Sequence, residues 1–145
     1  MKGEFWNKFN FAFCLGNHFF IPASWDSNYI KVVEAHETQH AKDQRTLGLG
    51  IHPFVGLPLF LILYFFVFFP LGLAIFRTWF EYRADKAEFQ YMIDNKMITD
   101  RAILSEMVNQ SARIISGWKY FFSCPMFITK LFYNKITKKL GEQLD

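Results

Sequence analysis

The sequence predicts a mainly α-helical (α+β) protein that begins with a small β-hairpin. Three observations lead to this fold class. An alternating, aromatic-rich stretch comes first, helical spacing of apolar residues follows from residue 26 onward, and an uncharged run of 24 residues, 53–76, separates two helical segments. A chain of 145 residues can form one hydrophobic core, so we expect a single domain over residues 1–145.

The predicted hairpin occupies residues 1–25. Aromatic residues alternate with polar ones from Phe5 to Leu15, Gly16-Asn17 provides a turn, and a second extended run covers residues 18–21. Pro22 would end that second strand. His18 stands alone in it, which favours an ordinary surface residue over a ligand.

The next predicted element is a helix over residues 26–48. Asp26-Ser27-Asn28 offers N-cap side chains, and Gly48 offers a C-terminal stop. Apolar residues at helical spacing form a stripe that His36 and His40 continue toward the interior. Buried imidazoles need partners, because unpaired polar groups are costly there.

Residues 36–40 read His-Glu-Thr-Gln-His, the most informative pattern of the chain. In a helix, His36 and His40 lie one turn apart on one face, so both can bind one metal ion. Glu37 is then near enough to take a proton from a metal-bound water. Three fixed letters are a weak pattern, and ordinary helix residues remain the alternative.

The uncharged run, residues 53–76, has the length of a transmembrane helix. A single crossing would place His40 and Glu81 on opposite sides of a bilayer, and two crossings need about forty residues. Pro58, Pro70 and Gly72 are expected to break the run. We therefore predict a hydrophobic helical hairpin that is either re-entrant or interfacial at a membrane, or wholly buried in the protein, and the apolar content favours membrane contact.

A second acidic cluster is predicted on a helix over residues 72–94. Glu81 and Asp85 are one turn apart in it, and Glu81 is the candidate third metal ligand, since a catalytic zinc needs three protein ligands and an open position. Asp85 would hydrogen-bond the outer nitrogen of a ligating histidine. The alternative is a solvated face of paired charges across residues 81–88.

The C-terminal part is predicted to form helices within residues 99–140. Thr99-Asp100 can cap the first, and Pro125 is expected in the first turn of the last. Tyr120 lies in the aromatic linker between them and is the candidate oxyanion stabiliser, because phenols can serve in that role. Plain packing is the alternative for this tyrosine.

Together the two motifs resemble a known family. The pattern at residues 36–40, followed by Glu81-x-x-Ala84-Asp85, is similar to the gluzincin clan of zinc metallopeptidases, in particular to its CAAX-prenyl-endopeptidase-like branch and the small minigluzincins. The resemblance implies a zincin-like domain in which zinc is bound by His36, His40 and Glu81. It also implies Glu37 as the general base, Asp85 beside a ligand, and an edge strand that holds the substrate extended.

Composition limits the other functions. A net charge of +3 gives no general field for polyanions, and no nucleic-acid signature is present. Two cysteines, Cys14 and Cys124, without a disulfide framework indicate free thiols. The first residues lack the continuous apolar core of a signal peptide, so an intracellular protein is expected, either with or without membrane association.

These patterns predict a Zn²⁺-dependent metalloendopeptidase that acts on a peptide or protein substrate. Two alternatives stay open. The chain could be a non-catalytic zinc-binding or membrane-associated structural or assembly protein, or a zinc hydrolase of another substrate such as a lipid-linked amide.

Overall fold

The computed structural model describes residues 11–66, 75–117 and 124–144. They form a mainly α-helical structure with one small antiparallel hairpin, which confirms the predicted fold class at this level. The chain divides into two compact units, residues 1–61 and 62–145. The predicted single domain stays a prediction.

The described part of the hairpin consists of β1, Phe13–Leu15, and β2, His18–Phe20. Phe13 pairs with Phe20, and their rings stack with centroids 4.7 Å apart. Leu15 pairs with His18, so Gly16-Asn17 is a two-residue turn, as predicted. Gly16 has φ +61°, which fits the first central position of a type II′ turn. The first ten residues of the predicted hairpin lie outside the described part.

Helix α1, Ser27–Leu47, confirms the helix predicted over residues 26–48. The Asp26 carboxylate caps it by accepting hydrogen bonds from the backbone N–H groups of Asn28 at 2.8 Å and Tyr29 at 3.3 Å. At the other end, the Gly48 N–H donates to the Gln44 carbonyl at 3.0 Å. Local capping chemistry therefore sets both ends of the helix that carries the two histidines.

Helix α2, Pro53–Leu61, packs against α1 and completes the described part of the first unit. The prediction that Pro58 breaks the apolar run is wrong, because Pro58 lies inside α2. Proline removes one helical hydrogen bond, but burial of Pro53, Gly56 and Phe60 against α1 holds the helix in place. Pro70 and Gly72 lie outside the described residues.

The second unit contains three α-helices among its described residues: α3, Ile75–Asp94; α4, Arg101–Ile115; and α5, Met126–Gly141. A short π-helical segment, Ile62–Phe66, precedes them along the chain. Asp100 caps α4 as predicted, accepting from the Ala102 N–H at 2.6 Å. Pro125 is the N-cap of α5 instead of a first-turn residue.

The core of the second unit is built from α3, α4 and α5. Its buried side chains come mostly from α4 and α5: Phe89, Ile98, Leu104, Val108, Ala112, Ile115, Tyr133, Ile136 and Leu140. This packing fixes the inner face of α3, the helix predicted to carry Glu81 and Asp85. Within residues 11–66, 75–117 and 124–144, no helix has both the length and the apolar character needed to cross a membrane.

Candidate metal centre

His36 and His40 lie next to each other on α1. Their ring centroids are 4.9 Å apart in an edge arrangement, and a nitrogen of one ring lies within 4.8 Å of a nitrogen of the other. His40 is buried and His36 is half-buried. The edge of the Phe60 ring on α2 meets His40 at a centroid distance of 5.7 Å. Helical spacing thus gives the paired nitrogen donors that one metal ion requires.

Burial controls the protonation of His40. It holds the pKa of His40 well below the ordinary histidine value, and the charge of a protonated His36 would lower that pKa further. His40 is therefore neutral at physiological pH. Neutral imidazole is the form that binds metals, so the environment suits ligation.

Glu37 lies in the same buried environment, with 5% of its surface exposed. The Cys14 thiol of β1 donates a hydrogen bond to the Glu37 carboxylate. Burial, followed by the negative charge of Glu37, raises the pKa of Cys14, so the thiol stays protonated and can act as this donor. Glu37 directly follows His36 on α1, so one helix carries this carboxylate and both imidazoles.

Gln44 fastens the hairpin to α1 one or two turns beyond the histidines. Its side-chain oxygen accepts a hydrogen bond from the Gly16 N–H at 2.8 Å, and its amide nitrogen donates to the Cys14 carbonyl at 3.5 Å. The Gln44 side chain is fully buried. These bonds satisfy backbone groups of the hairpin and hold Cys14 close to Glu37.

Glu81 and Asp85 occupy the buried face of α3, in the second unit. Their exposed fractions are only 2% and 7%, so the interpretation of this cluster as a solvated face is wrong for both residues. Arg83, Lys86 and Glu88 are half-exposed and fit that interpretation better. Two buried carboxylates one turn apart require specific partners.

Tyrosine hydroxyl groups are among the hydrogen-bond partners of these two carboxylates. Tyr64 donates a hydrogen bond to the Oε1 atom of Glu81, and the Arg77 guanidinium lies 4.8 Å from the centroid of the Tyr64 ring. Tyr133 of α5 donates to the Oδ2 atom of Asp85 at 2.6 Å. Both bonds lie within the second unit and fix the carboxylate orientations.

Comparison with known protein families, with curated proteins and with solved structures finds no match to this chain. The family resemblance of the two motifs therefore stays a prediction.

The predicted site residues divide between the two units. His36, Glu37 and His40 are grouped on α1, and Glu81 and Asp85 are grouped on α3. Tyr120, the candidate oxyanion stabiliser, lies outside the described residues. The assignments of metal ligand, base and supporting carboxylate remain predictions.

Sequence reasoning missed three neighbours of these groups: Cys14, Tyr64 and Tyr133. Tyr64 had a usable signal, because it carries the only hydrogen-bonding side chain within the uncharged run 53–76. A hydroxyl group in such a run needs a buried acceptor. Cys14 and Tyr133 had none, since each is far along the chain from the carboxylate that it contacts.

Proposed function

We propose that this chain is a zinc-dependent metalloendopeptidase with a zincin-like site. The observation that carries the proposal is the arrangement on α1, where two adjacent imidazoles, one of them buried and neutral, share a helix with the buried carboxylate of Glu37. A core that needed only packing would not hold three such polar groups together, because each costs free energy when desolvated. A metal ion accounts for all three.

The donor set fits zinc. His36 and His40 would supply nitrogen ligands and Glu81 would supply an oxygen ligand, which is the composition of catalytic zinc sites with one open position. When bound, zinc would supply Lewis acidity, which lowers the pKa of a coordinated water and polarises a carbonyl group. The bond from Tyr64 to Glu81 would orient that carboxylate for binding.

Glu37 would then carry the proton transfers. Its carboxylate accepts the proton of the attacking water and returns it to the amine that leaves when the peptide bond breaks. The hydrogen bond from Cys14 limits the orientations of the Glu37 carboxylate, which favours the geometry that proton transfer requires. Asp85, held by Tyr133, would hydrogen-bond the outer nitrogen of a ligand histidine.

The base assignment is tested by Glu37→Gln, with Glu34→Gln as the matched control because Glu34 is exposed on the same helix. Hydrolysis of a quenched fluorescent peptide library should fall by about 10²- to 10⁴-fold in Glu37→Gln. Zinc content, measured by plasma mass spectrometry, should stay at one ion per chain in both variants. A Glu37→Gln protein that cleaves as well as the wild type would exclude Glu37 as the base.

The ligand assignment is tested by elemental analysis of His40→Ala and Glu81→Ala. Both should lose zinc, whereas His52→Ala and Glu106→Ala should retain it, because His52 and Glu106 are exposed. Zinc retained without peptide hydrolysis in the wild type would instead favour a structural metal site. Absence of zinc after reconstitution would exclude the proposed function.

A further inference from the structure

Helix α2 is apolar on all sides; among the described residues, α1 covers one side, and His18 of the hairpin approaches the Phe54 ring with centroids 5.9 Å apart. Pro53, Gly56 and Phe60 are buried against α1. The opposite side, together with the turn before it, exposes five large apolar side chains, and we call this surface the α2 outer face. Its members and their exposed fractions are Leu49 (88%), Ile51 (70%), Phe54 (44%), Val55 (57%) and Leu59 (44%).

This exposure is organised along one helical face. Val55 and Leu59 are four residues apart in α2, so their side chains lie on one face of the helix, and Leu49 and Ile51 extend this exposed surface into the turn before it. Single exposed apolar residues are normal on a protein surface, but a contiguous stripe marks a contact surface. A helix that is apolar all round is typical of a protein core or a lipid environment.

The turn that precedes α2 is built to project its side chains. Leu49 has φ +57°, in the left-handed region that residues other than glycine rarely adopt. Backbone hydrogen bonds fix it there, because the Leu49 N–H donates to the Thr46 carbonyl at 3.2 Å and the Gly50 N–H donates to the Arg45 carbonyl at 2.9 Å. The most exposed apolar side chain of the surface is thus held outward by defined bonds.

The charged residues beside the α2 outer face indicate which partner it binds. Arg45 donates from Nε to the Gly50 carbonyl at 3.0 Å, which places its guanidinium group at the rim of the α2 outer face. Lys42 is exposed on α1 one turn earlier. The sequence contains no aspartate or glutamate from residue 44 to residue 80. Exposed apolar side chains with two cations beside them, in a sequence stretch that lacks aspartate and glutamate, match the boundary between acyl chains and anionic headgroups.

A second copy of the chain fits this surface less well. A two-fold contact in which the turns at Leu49 of two copies meet would bring Arg45 of each copy into the same interface, where the like charges repel. An anionic bilayer has no such conflict, because phosphate groups pair with guanidinium while Leu49 and Ile51 enter the acyl boundary.

We propose that the α2 outer face docks the protein on the surface of an anionic phospholipid bilayer. The side chains of Leu49, Ile51, Phe54, Val55 and Leu59 insert at the acyl boundary, and Arg45 contacts the phosphates. The protein lies on the bilayer surface in this arrangement and does not span it. Docking is independent of the proposed peptidase site, so it should persist when zinc is removed with EDTA.

The test is vesicle flotation of the full chain. Vesicles of phosphatidylcholine alone are compared with vesicles that also contain phosphatidylglycerol. The wild type should float with the anionic vesicles, and Leu49→Ser/Ile51→Ser should reduce the bound fraction by about tenfold or more. Arg45→Gln should reduce partitioning about fivefold at low salt, and by less when salt screens the headgroups.

Ile103→Ser on α4 is the matched control, because Ile103 is 49% exposed and lies outside the α2 outer face. It should float like the wild type, and circular dichroism should show that every variant is folded. Failure of the wild type to float, equal binding to neutral vesicles, or unchanged flotation of Leu49→Ser/Ile51→Ser would each overturn the proposal. The proposal would also fail if sedimentation velocity showed that the wild type is a dimer that does not bind vesicles and that Leu49→Ser/Ile51→Ser dissociates this dimer.

Discussion

At the residue scale, the phenol of Tyr64 contributes to the orientation of Glu81. Tyr64 donates a hydrogen bond to the Glu81 carboxylate; Glu81 is buried and Tyr64 is half-buried. If Glu81 binds zinc, removal of this donor lets the carboxylate rotate and weakens its hold on the metal. Tyr64→Phe should therefore lower zinc affinity about 10- to 100-fold, measured by competition with a chromophoric chelator.

Tyr91→Phe is the control for this prediction, because Tyr91 lies on α3 ten residues beyond Glu81. Its zinc affinity should equal that of the wild type. Equal affinities for Tyr64→Phe and the wild type would show that Glu81 is oriented by other groups or does not bind the metal.

The Cys14 thiol gives the protein a defined response to alkaline pH. Burial and the adjacent Glu37 charge raise the pKa of Cys14 in the folded state above the ordinary value of 9.0. The stabilisation is complete below pH 9 and is lost as pH rises, because the unfolded chain then releases a proton that the folded chain retains. The free energy of unfolding should fall by about 1.4 kcal/mol per pH unit above pH 9 from this group.

Cys14→Ser isolates that contribution, since serine can donate to Glu37 but does not ionise in this range. Urea unfolding at pH 8, 9 and 10 should show the stability difference between wild type and Cys14→Ser changing with pH only above 9. Parallel pH profiles for the two proteins would mean that the folded and unfolded thiols titrate alike.

At the element scale, the crossing of α1 and α2 depends on glycine. A Cβ atom at Gly56 would lie 1.8 Å from the Gln44 carbonyl oxygen and 2.4 Å from the Gly48 nitrogen, both backbone atoms that cannot rotate away. Gly56→Ala must therefore separate the two helices and disturb the packing of Phe60 on His40. We expect a loss of about 3 kcal/mol or more in the free energy of unfolding, measured by urea denaturation.

Gly50→Ala is the matched substitution. No atom lies within 4 Å of a Cβ at Gly50, but its φ of +78° makes alanine strained, so a loss of about 1 kcal/mol is expected. Equal losses at the two glycines would indicate that helix contact does not limit the Gly56 position.

Elements whose signals are local were predictable from the sequence. Asp26 and Gly48 set the ends of α1, and Gly16-Asn17 sets the hairpin turn, because capping and turn chemistry involve neighbours along the chain. The continuation of α2 through Pro58 was not predictable in this way. It depends on packing against α1, and local propensity does not include that contribution.

The same distinction separates the parts of the candidate site. The pairing of His36 with His40 follows from helical spacing alone. The contacts of Cys14 with Glu37, Tyr64 with Glu81, and Tyr133 with Asp85 join residues far apart in sequence. No periodic pattern of the sequence indicates such contacts, so these orienting groups are identified only in the structure.

At the scale of the whole molecule, the proposed ligands belong to both compact units. His36 and His40 belong to residues 1–61, and Glu81 belongs to residues 62–145. Each unit also has its own buried side chains, with the larger apolar cluster in the second. A zinc ion with this ligand set would bind fully only when both units are folded, so metal binding would couple their stabilities.

Zinc should therefore stabilise the whole chain against heat. At a free zinc concentration 100 times the dissociation constant, mass action adds about 2.7 kcal/mol, or roughly 5 to 10 °C in Tm for a chain of this size. Differential scanning calorimetry should show this rise for the wild type and for His52→Ala, and its loss in EDTA or in His40→Ala. A Tm that does not respond to zinc in the wild type would mean that no folded-state metal site exists. A rise that survives Glu81→Ala would place the ion on α1 alone, because the two histidines would then suffice to hold it.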